Sequence, residues 1–252
     1  MRKTALVTGA TTGIGKATAE ILAANGYNLI VTGRRKELLD DLKGSLGVKY
    51  KCDVLALNFD IRNREQTENA IDKLPKTWRN IAVLVNNAGL AAGLSPIQSG
   101  STDDWDQMID TNIKGLLYIS RKVSPIMIEN GRGHIINITS IAAKEVYENG
   151  NVYCATKHAV DALTKGMRID LLKHNIRVTS IAPGMANTEF SLVRFKGDKE
   201  RADKVYEGFV PLSANDVADA IWYAVSRPAH VNISDMLIMP AAQAAITITD
   251  RK

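Results

Sequence analysis

The sequence has little cysteine: Cys52 and Cys154 are the only two in 252 residues. Two thiols make neither a disulfide framework nor a metal site, so they read as free thiols of a reducing compartment, and no metal is expected. There is no run of about 18 apolar residues, which excludes a membrane-spanning helix. The basic N-terminal residues precede an apolar run that is too short for a signal peptide and breaks into glycines, so a cytoplasmic protein is expected. Long basic runs and basic stripes interleaved with aromatics are also missing. The net charge of +5 therefore does not mark a nucleic-acid surface. Linkers, low-complexity stretches and strong repeats are absent. The 45% apolar and 23% charged composition is ordinary for a globular protein. The length suits one large α/β domain over 1–252, long enough to bury roughly 70–75% of its unfolded surface.

What is present is an alternation of short β-branched runs with longer amphipathic segments. Strands are expected at 4–8, 28–32, 54–60, 81–87, 133–140, 176–183 and 231–240. Helices are expected at 14–25, 36–46, 64–74, 103–128, 152–174 and 215–226, the 103–128 helix bent or interrupted near Gly115 or Pro125. Near-continuous apolar strands separated by helices imply a parallel sheet covered on both faces, wound with right-handed crossovers into a doubly wound, Rossmann-type α/β fold. The charged, irregular stretch 184–214 is too long for a routine connection and is expected to be a lid or binding loop.

After the first strand stands TGATTGIG, in which Gly9, Gly13 and Gly15 open a helix. Glycines between a strand and a helix permit a tight turn and let the backbone approach a diphosphate, which the helix N-terminus then faces. Thr12 and Ile14 lie in the same loop. A site for NAD places an acid at the end of the second strand, to hold the ribose 2′-hydroxyl. Here that strand ends in Gly33-Arg34-Arg35. A guanidinium pair suits a 2′-phosphate, so NADP is expected over NAD. Asp60 is placed to accept from an adenine amino group. The small residues Asn87, Ala88 and Gly89 let a ribose lie close.

Tyr153 and Lys157 are four residues apart, one turn along one helix face. Alone they read as a surface pair. Beside Ser140 at the end of the fifth strand and the glycine loop, they read as an acid/base pair. Hydride transfer from a carbinol needs a base for the hydroxyl proton. A phenol has a pKa near 10, and an adjacent ammonium is expected to lower it. Ser140 is placed to hydrogen-bond the substrate oxygen. Asn112 sits inside a helix, where Asn is awkward without a task, and is a candidate to hold a water linking Lys157 to solvent.

Together, TGATTGIG, NNAG, Asn112, Ser140, Tyr153-x-x-x-Lys157 and Pro183-Gly184 resemble the short-chain dehydrogenase/reductase family over essentially the whole chain. The resemblance implies a seven-stranded parallel sheet and a dimer or, more usually, a homotetramer. It also implies that Lys157 binds the nicotinamide ribose hydroxyls and that Thr188 contacts the nicotinamide carboxamide or the phosphates. The segments LPKTWRNIAVLVNNAGLAAG, DWDQMIDTNIKGLLY, TEFSLVRFKGD and PAHVNISDMLIMPAAQ are similar to NADP-dependent 3-hydroxy acid dehydrogenases. That group oxidises serine, L-allo-threonine and related acids at C3.

A hydroxy acid needs a cation near its carboxylate. Arg194 and Lys196 offer one, and Tyr147 is a candidate to line the same pocket. His134, His158 and Cys154 read as structural, and Trp78, Trp105 and Trp222 as packing or subunit-contact residues. The apolar tail 241–252 needs a neighbour and is expected to find it on another subunit or at its pocket. Two other readings stay open: a broad NADPH-dependent carbonyl reductase, and a dinucleotide sensor without chemistry.

Overall fold

A computed structural model describes residues 2–252. Seven strands form one parallel sheet in the order β3-β2-β1-β4-β5-β6-β7. They are β1 (Thr4–Val7), β2 (Asn28–Gly33), β3 (Val54–Asn58), β4 (Ile81–Asn86), β5 (Gly133–Ile138), β6 (Ile176–Pro183) and β7 (Asp235–Ile238). Helices α1 (Gly13–Ala24), α2 (Lys36–Tyr50) and α9 (Ala214–Val225) cover one face. On the other lie α3 (Arg64–Asp72), α5 (Leu116–Glu129) and α6 (Asn151–Leu171). Successive strand residues point to opposite faces. Ala5 and Val7 therefore join the first core with Leu29, Val31, Val83 and Val85, while Leu6, Ile30 and Leu84 join the second with Ile119, Val123 and Met127. This two-sided burial is why the strands read as apolar runs rather than alternating patterns.

The helix expected at 103–128 is interrupted near Gly115: it consists of α4 (Thr102–Ile109), a wide π-type turn over Asp110–Gly115, and α5. Pro125 sits inside α5 without ending it. Other expectations are corrected. β3 stops at Asn58, whose side-chain amide donates to the Gly33 and Arg34 carbonyls, and Asp60 lies in the loop beyond. β7 is shorter than 231–240 because it is an edge strand paired only with β6. The apolar tail finds its neighbour in its own chain. Ile246 N donates to Glu145 at 2.9 Å, and Gln243 Oε1 accepts from Met185 N at 2.9 Å. Lys252 N donates to the Gly208 carbonyl at 2.8 Å.

The segment 184–214 is less irregular than expected. It contains two short helices, α7 (Glu189–Arg194) and α8 (Lys199–Lys204), and lies beside the carboxyl ends of the strands. Trp222, Trp78 and Trp105 pack against three separate cores. Among the described residues no helix is long and apolar enough to cross a membrane.

Polar groups also cross the core. Asn86 of β4 donates to Ser120 of α5 and to Asn137 of β5, and Asn137 donates to Thr164 of α6. His134 of β5 is 2% exposed and meets the Thr179 hydroxyl at 2.8 Å. That hydroxyl gives its proton to the Ile233 carbonyl, so His134 is the donor through Nε2 and its Nδ1 has no partner. Burial, helped by the charge of Arg177, pushes the His134 pKa from 6.5 down to about 3. The unfolded chain takes up this proton below pH 6.5 and the folded one only near pH 3. Stability is therefore expected to fall by about 1.4 kcal/mol per pH unit in that window from this group alone. Urea unfolding of the parent and His134→Gln at stepped pH checks it: the variant shows a shallower loss with acid.

Candidate active site

After β3-β2-β1 the chain crosses back and lays β4 on the other side of β1. The loops leaving these strands diverge there, opening a crevice at their carboxyl ends. A cleft of about 730 Å³ occupies that place. Its walls include Gly9, Thr12, Gly13, Ile14, Arg34, Arg35, Asp60, Asn87, Ala88, Gly89, Ser140, Tyr147, Tyr153, Lys157, Pro183, Gly184, Thr188 and Arg194. The sequence-predicted residues missing from its walls are Gly15 and Asn112, which act from behind it, and Lys196.

A Cβ on Gly15 would stand 2.3 Å from the Gly9 carbonyl and 2.4 Å from Asn87 Nδ2. No side chain fits there. The Asn87 amide donates to the Thr8 and Gly9 carbonyls at 2.9 and 3.1 Å, and the Thr8 hydroxyl accepts from the Asn87 and Ala88 N–H groups. The glycine loop and the NNAG turn are thus one hydrogen-bonded unit. Helix α1 starts at Gly13 with no side-chain cap, so its first N–H groups are free to face an anion.

At the lip, Arg35 Nη2 donates to Thr11 at 3.1 Å, Thr12 at 3.0 Å and Glu189 at 3.1 Å. The Arg34 side chain lines the cleft beside it. The Asp60 carboxylate forms a fork with Arg62, its shortest contact 2.6 Å. Burial pushes its pKa up, but the Arg62 hydrogen bonds outweigh this and hold it below the usual carboxylate range. These parts fit an adenine dinucleotide carrying a 2′-phosphate.

Tyr153 and Lys157 face the cleft from the start of α6 and are 8% and 7% exposed. Burial brings the Lys157 pKa from 10.5 down to about 8. Its ammonium donates to the Ile138 carbonyl at 2.9 Å and stands 5.9 Å from the Tyr153 ring centroid. The expectation that Lys157 lowers the Tyr153 pKa is not met. Burial raises it well above 10, Tyr147 adds to the rise, and the lowering influences are a Ser140 hydrogen bond and the Arg194 charge. Ser140 is held by the Ala142 N–H at 3.1 Å.

Asn112 sits in the wide turn and is 2% exposed. Its Oδ1 accepts from Leu90 N at 2.8 Å, and its Nδ2 donates to Leu90 O at 2.9 Å and Thr156 at 3.0 Å. Both amide protons are engaged, which leaves one lone pair of Oδ1 for a water. The side chain joins the loop after β4 to the catalytic-face helix α6. An Asn inside a helix marked a side chain with a task, but its partners carry no local mark in the sequence.

Arg194 projects from α7 to the Tyr147 hydroxyl, which accepts from it. Its guanidinium carbon lies 5.4 Å from the Tyr147 ring, 5.3 Å from Tyr153 and 5.9 Å from Phe190. No carboxylate pairs with it among the described residues. Lys196, the other candidate cation, is engaged by Asp104 at 3.0 Å. Phe190, which meets Tyr153 edge-on at 5.6 Å, and the cleft-lining Glu189, Gln243 and Ile246 were not singled out from the sequence.

Gly15→Ala is expected to weaken NADP binding by about tenfold or more, because the backbone carbonyl of Gly9 must move. Fluorescence titration checks this; an unchanged dissociation constant contradicts the packing described.

The comparisons with known proteins agree with this geometry. The short chain dehydrogenase profile matches residues 3–198. The NADP-dependent 3-hydroxy acid dehydrogenase YdfG of Salmonella typhi is 49% identical over 239 residues, 94% of this chain and 95% of the relative. Sulfoacetaldehyde reductase 2 of Chromohalobacter salexigens is 44% identical over 240 residues, 95% and 94% of the two chains. Among solved structures, the closed form of serine dehydrogenase complexed with NADP+ matches with a TM-score of 0.93 and 44% identity, over 99% of both chains. With its reversal-point crevice, glycine loop and Tyr153–Lys157 pair, the chain belongs to the short-chain dehydrogenase family.

Proposed function

We propose that the chain transfers a hydride between NADP(H) and the C3 carbinol or carbonyl of a small 3-hydroxy acid of the serine, L-allo-threonine or 3-hydroxypropionate type. The observation that carries the substrate class is Arg194: a guanidinium without an acidic partner, stacked on Tyr153, at the end of the cleft away from Arg35. A half-buried cation beside the acid/base group recognises an anion one or two carbons from the reacting carbon. A 3-hydroxy acid and sulfoacetaldehyde, the substrates named for two relatives, share that pattern. A reductase of neutral carbonyls would leave the Arg194 charge without an anionic partner.

The glycine loop, Arg34, Arg35, Asn87, Ala88, Gly89 and Thr188 would hold NADP+, which would supply the hydride acceptor. Tyr153 as phenolate takes the hydroxyl proton while the hydride leaves C3, and as phenol it returns that proton in reduction. Ser140 donates to the substrate oxygen. Lys157 holds the ribose hydroxyls and supplies positive charge near the phenol. Asn112 fixes α6 against the loop after β4. Residues 184–214 act as the lid that brings Arg194 to the carboxylate. A cytoplasmic homotetramer belongs to the same reading.

Formation of NADPH with 3-hydroxypropionate, L-serine and L-allo-threonine tests it against simple secondary alcohols. Tyr153→Phe is expected to lower turnover about 10²- to 10⁴-fold while retaining NADP binding. Arg194→Met is expected to raise KM for the acids about tenfold or more and to leave KM for neutral alcohols unchanged, while the charge lost beside Tyr153 lowers kcat for both alike. Turnover of neutral alcohols alone, or acids indifferent to Arg194→Met, contradicts the substrate class.

A further inference from the structure

Helix α7 touches both ends of the cleft. At its start, Glu189 Oε2 accepts from Arg35 Nη2 at 3.1 Å. Thr188, just before it, packs where Gly13 lacks a side chain; a Cβ there would lie 3.3 Å from the Thr188 Cβ. At its end, the Arg194 carbonyl accepts from Gly93 N at 3.0 Å, and Arg194 Nε donates to the Gly93 carbonyl at 3.4 Å. Lys196, two residues on, pairs with Asp104 at 3.0 Å. A six-residue helix is a rod of about 9 Å. A displacement at Glu189 is therefore felt at Arg194.

The Arg35 guanidinium meets the protein through Nη2 alone, with Thr11, Thr12 and Glu189 sharing it. Nε and Nη1 have no protein partner among the described residues. Each is free to donate a single hydrogen bond to a phosphate oxygen. Arg35 thus holds a lid carboxylate through Nη2 while its Nε and Nη1 donors stay open to a phosphate.

We infer that Glu189 is a positioning residue: through Arg35 it couples occupation of the 2′-phosphate site to the seating of α7, and so of Arg194, over the substrate end of the cleft. This rests on the NADP reading above. The side chains of Arg35 and Glu189 are 49% and 46% exposed, and an exposed ion pair alone contributes little. A phosphate accepting from these free donors immobilises the guanidinium, so Glu189 then closes onto a partner already ordered. The coupling is reciprocal: a seated α7 strengthens 2′-phosphate binding by the same factor.

The test uses the full chain and Glu189→Gln with two probes, adenosine 2′,5′-bisphosphate and adenosine 5′-phosphate, each at saturation. The readout is the trypsin cleavage rate at Arg194, Lys196 and Lys199, with cut sites located by mass spectrometry. In the parent, the bisphosphate is expected to slow these cuts about two- to fivefold more than the monophosphate does. In Glu189→Gln that extra protection disappears while the bisphosphate still binds more tightly than the monophosphate. In turnover, the variant raises KM for 3-hydroxypropionate about two- to fivefold with NADP and leaves it unchanged with NAD, a split that general loosening of α7 would not produce. Full protection in Glu189→Gln overturns the inference, as does tighter bisphosphate binding, which would mean that the carboxylate repels the phosphate. If the parent binds both probes equally, the NADP reading falls as well; discrimination by the parent with undiminished protection in the variant sinks this inference alone.

Discussion

The site depends on one topological event, the return of the chain across β1 to lay down β4. The return places the Asn87 amide against the glycine loop, where it binds the Thr8 and Gly9 carbonyls. It also starts the loop whose Leu90 backbone is held by Asn112. Asn112 in turn binds Thr156, between Tyr153 and Lys157. Hydrogen bonds, joined by the short backbone from Asn87 to Leu90, therefore connect the glycine loop to the Tyr153–Lys157 pair. The wide turn at Asp110–Gly115 is the device that turns the Asn112 side chain inward without ending the helix. Such insertions are frequent at functional sites.

Burial is the electrostatic lever at the reacting end. It weakens the charge on Lys157 and opposes a charge on Tyr153. The two residues do not correct each other within the protein, because Lys157 turns its ammonium to the Ile138 carbonyl. The influences that favour phenolate come from Ser140 and from Arg194. Arg194 accordingly has two tasks in the proposed reaction: it meets the substrate carboxylate and lends positive charge to the base.

The glycine loop, the NNAG turn and the Tyr153–Lys157 spacing were legible because backbone sterics and helix periodicity leave few residue types and spacings that work. The seven strands were legible because both sheet faces are covered. What escaped depends on partners far apart in the chain. Nothing near Arg35 announces Glu189, 154 residues on, and nothing near Lys196 announces Asp104. An interruption near Gly115 was legible, but the form of the wide turn was not, because apolar periodicity continues through it. The tail 241–252 visibly required a neighbour, yet apolar residues do not say whose; the chain's own loops supplied it.

The central claim is that a buried Tyr153 exchanges the substrate proton. The most direct measurement is the pH dependence of kcat/KM for 3-hydroxypropionate oxidation and for the reverse reduction, since this substrate's carboxylate does not titrate near neutrality. Burial raises the Tyr153 pKa, so phenolate is scarce at neutral pH. Oxidation is expected to rise about tenfold per pH unit on its acid limb, and reduction to fall only where oxidation levels off. Profiles flat from about pH 6 to 10 in both directions would contradict the assignment of Tyr153 as the acid/base group.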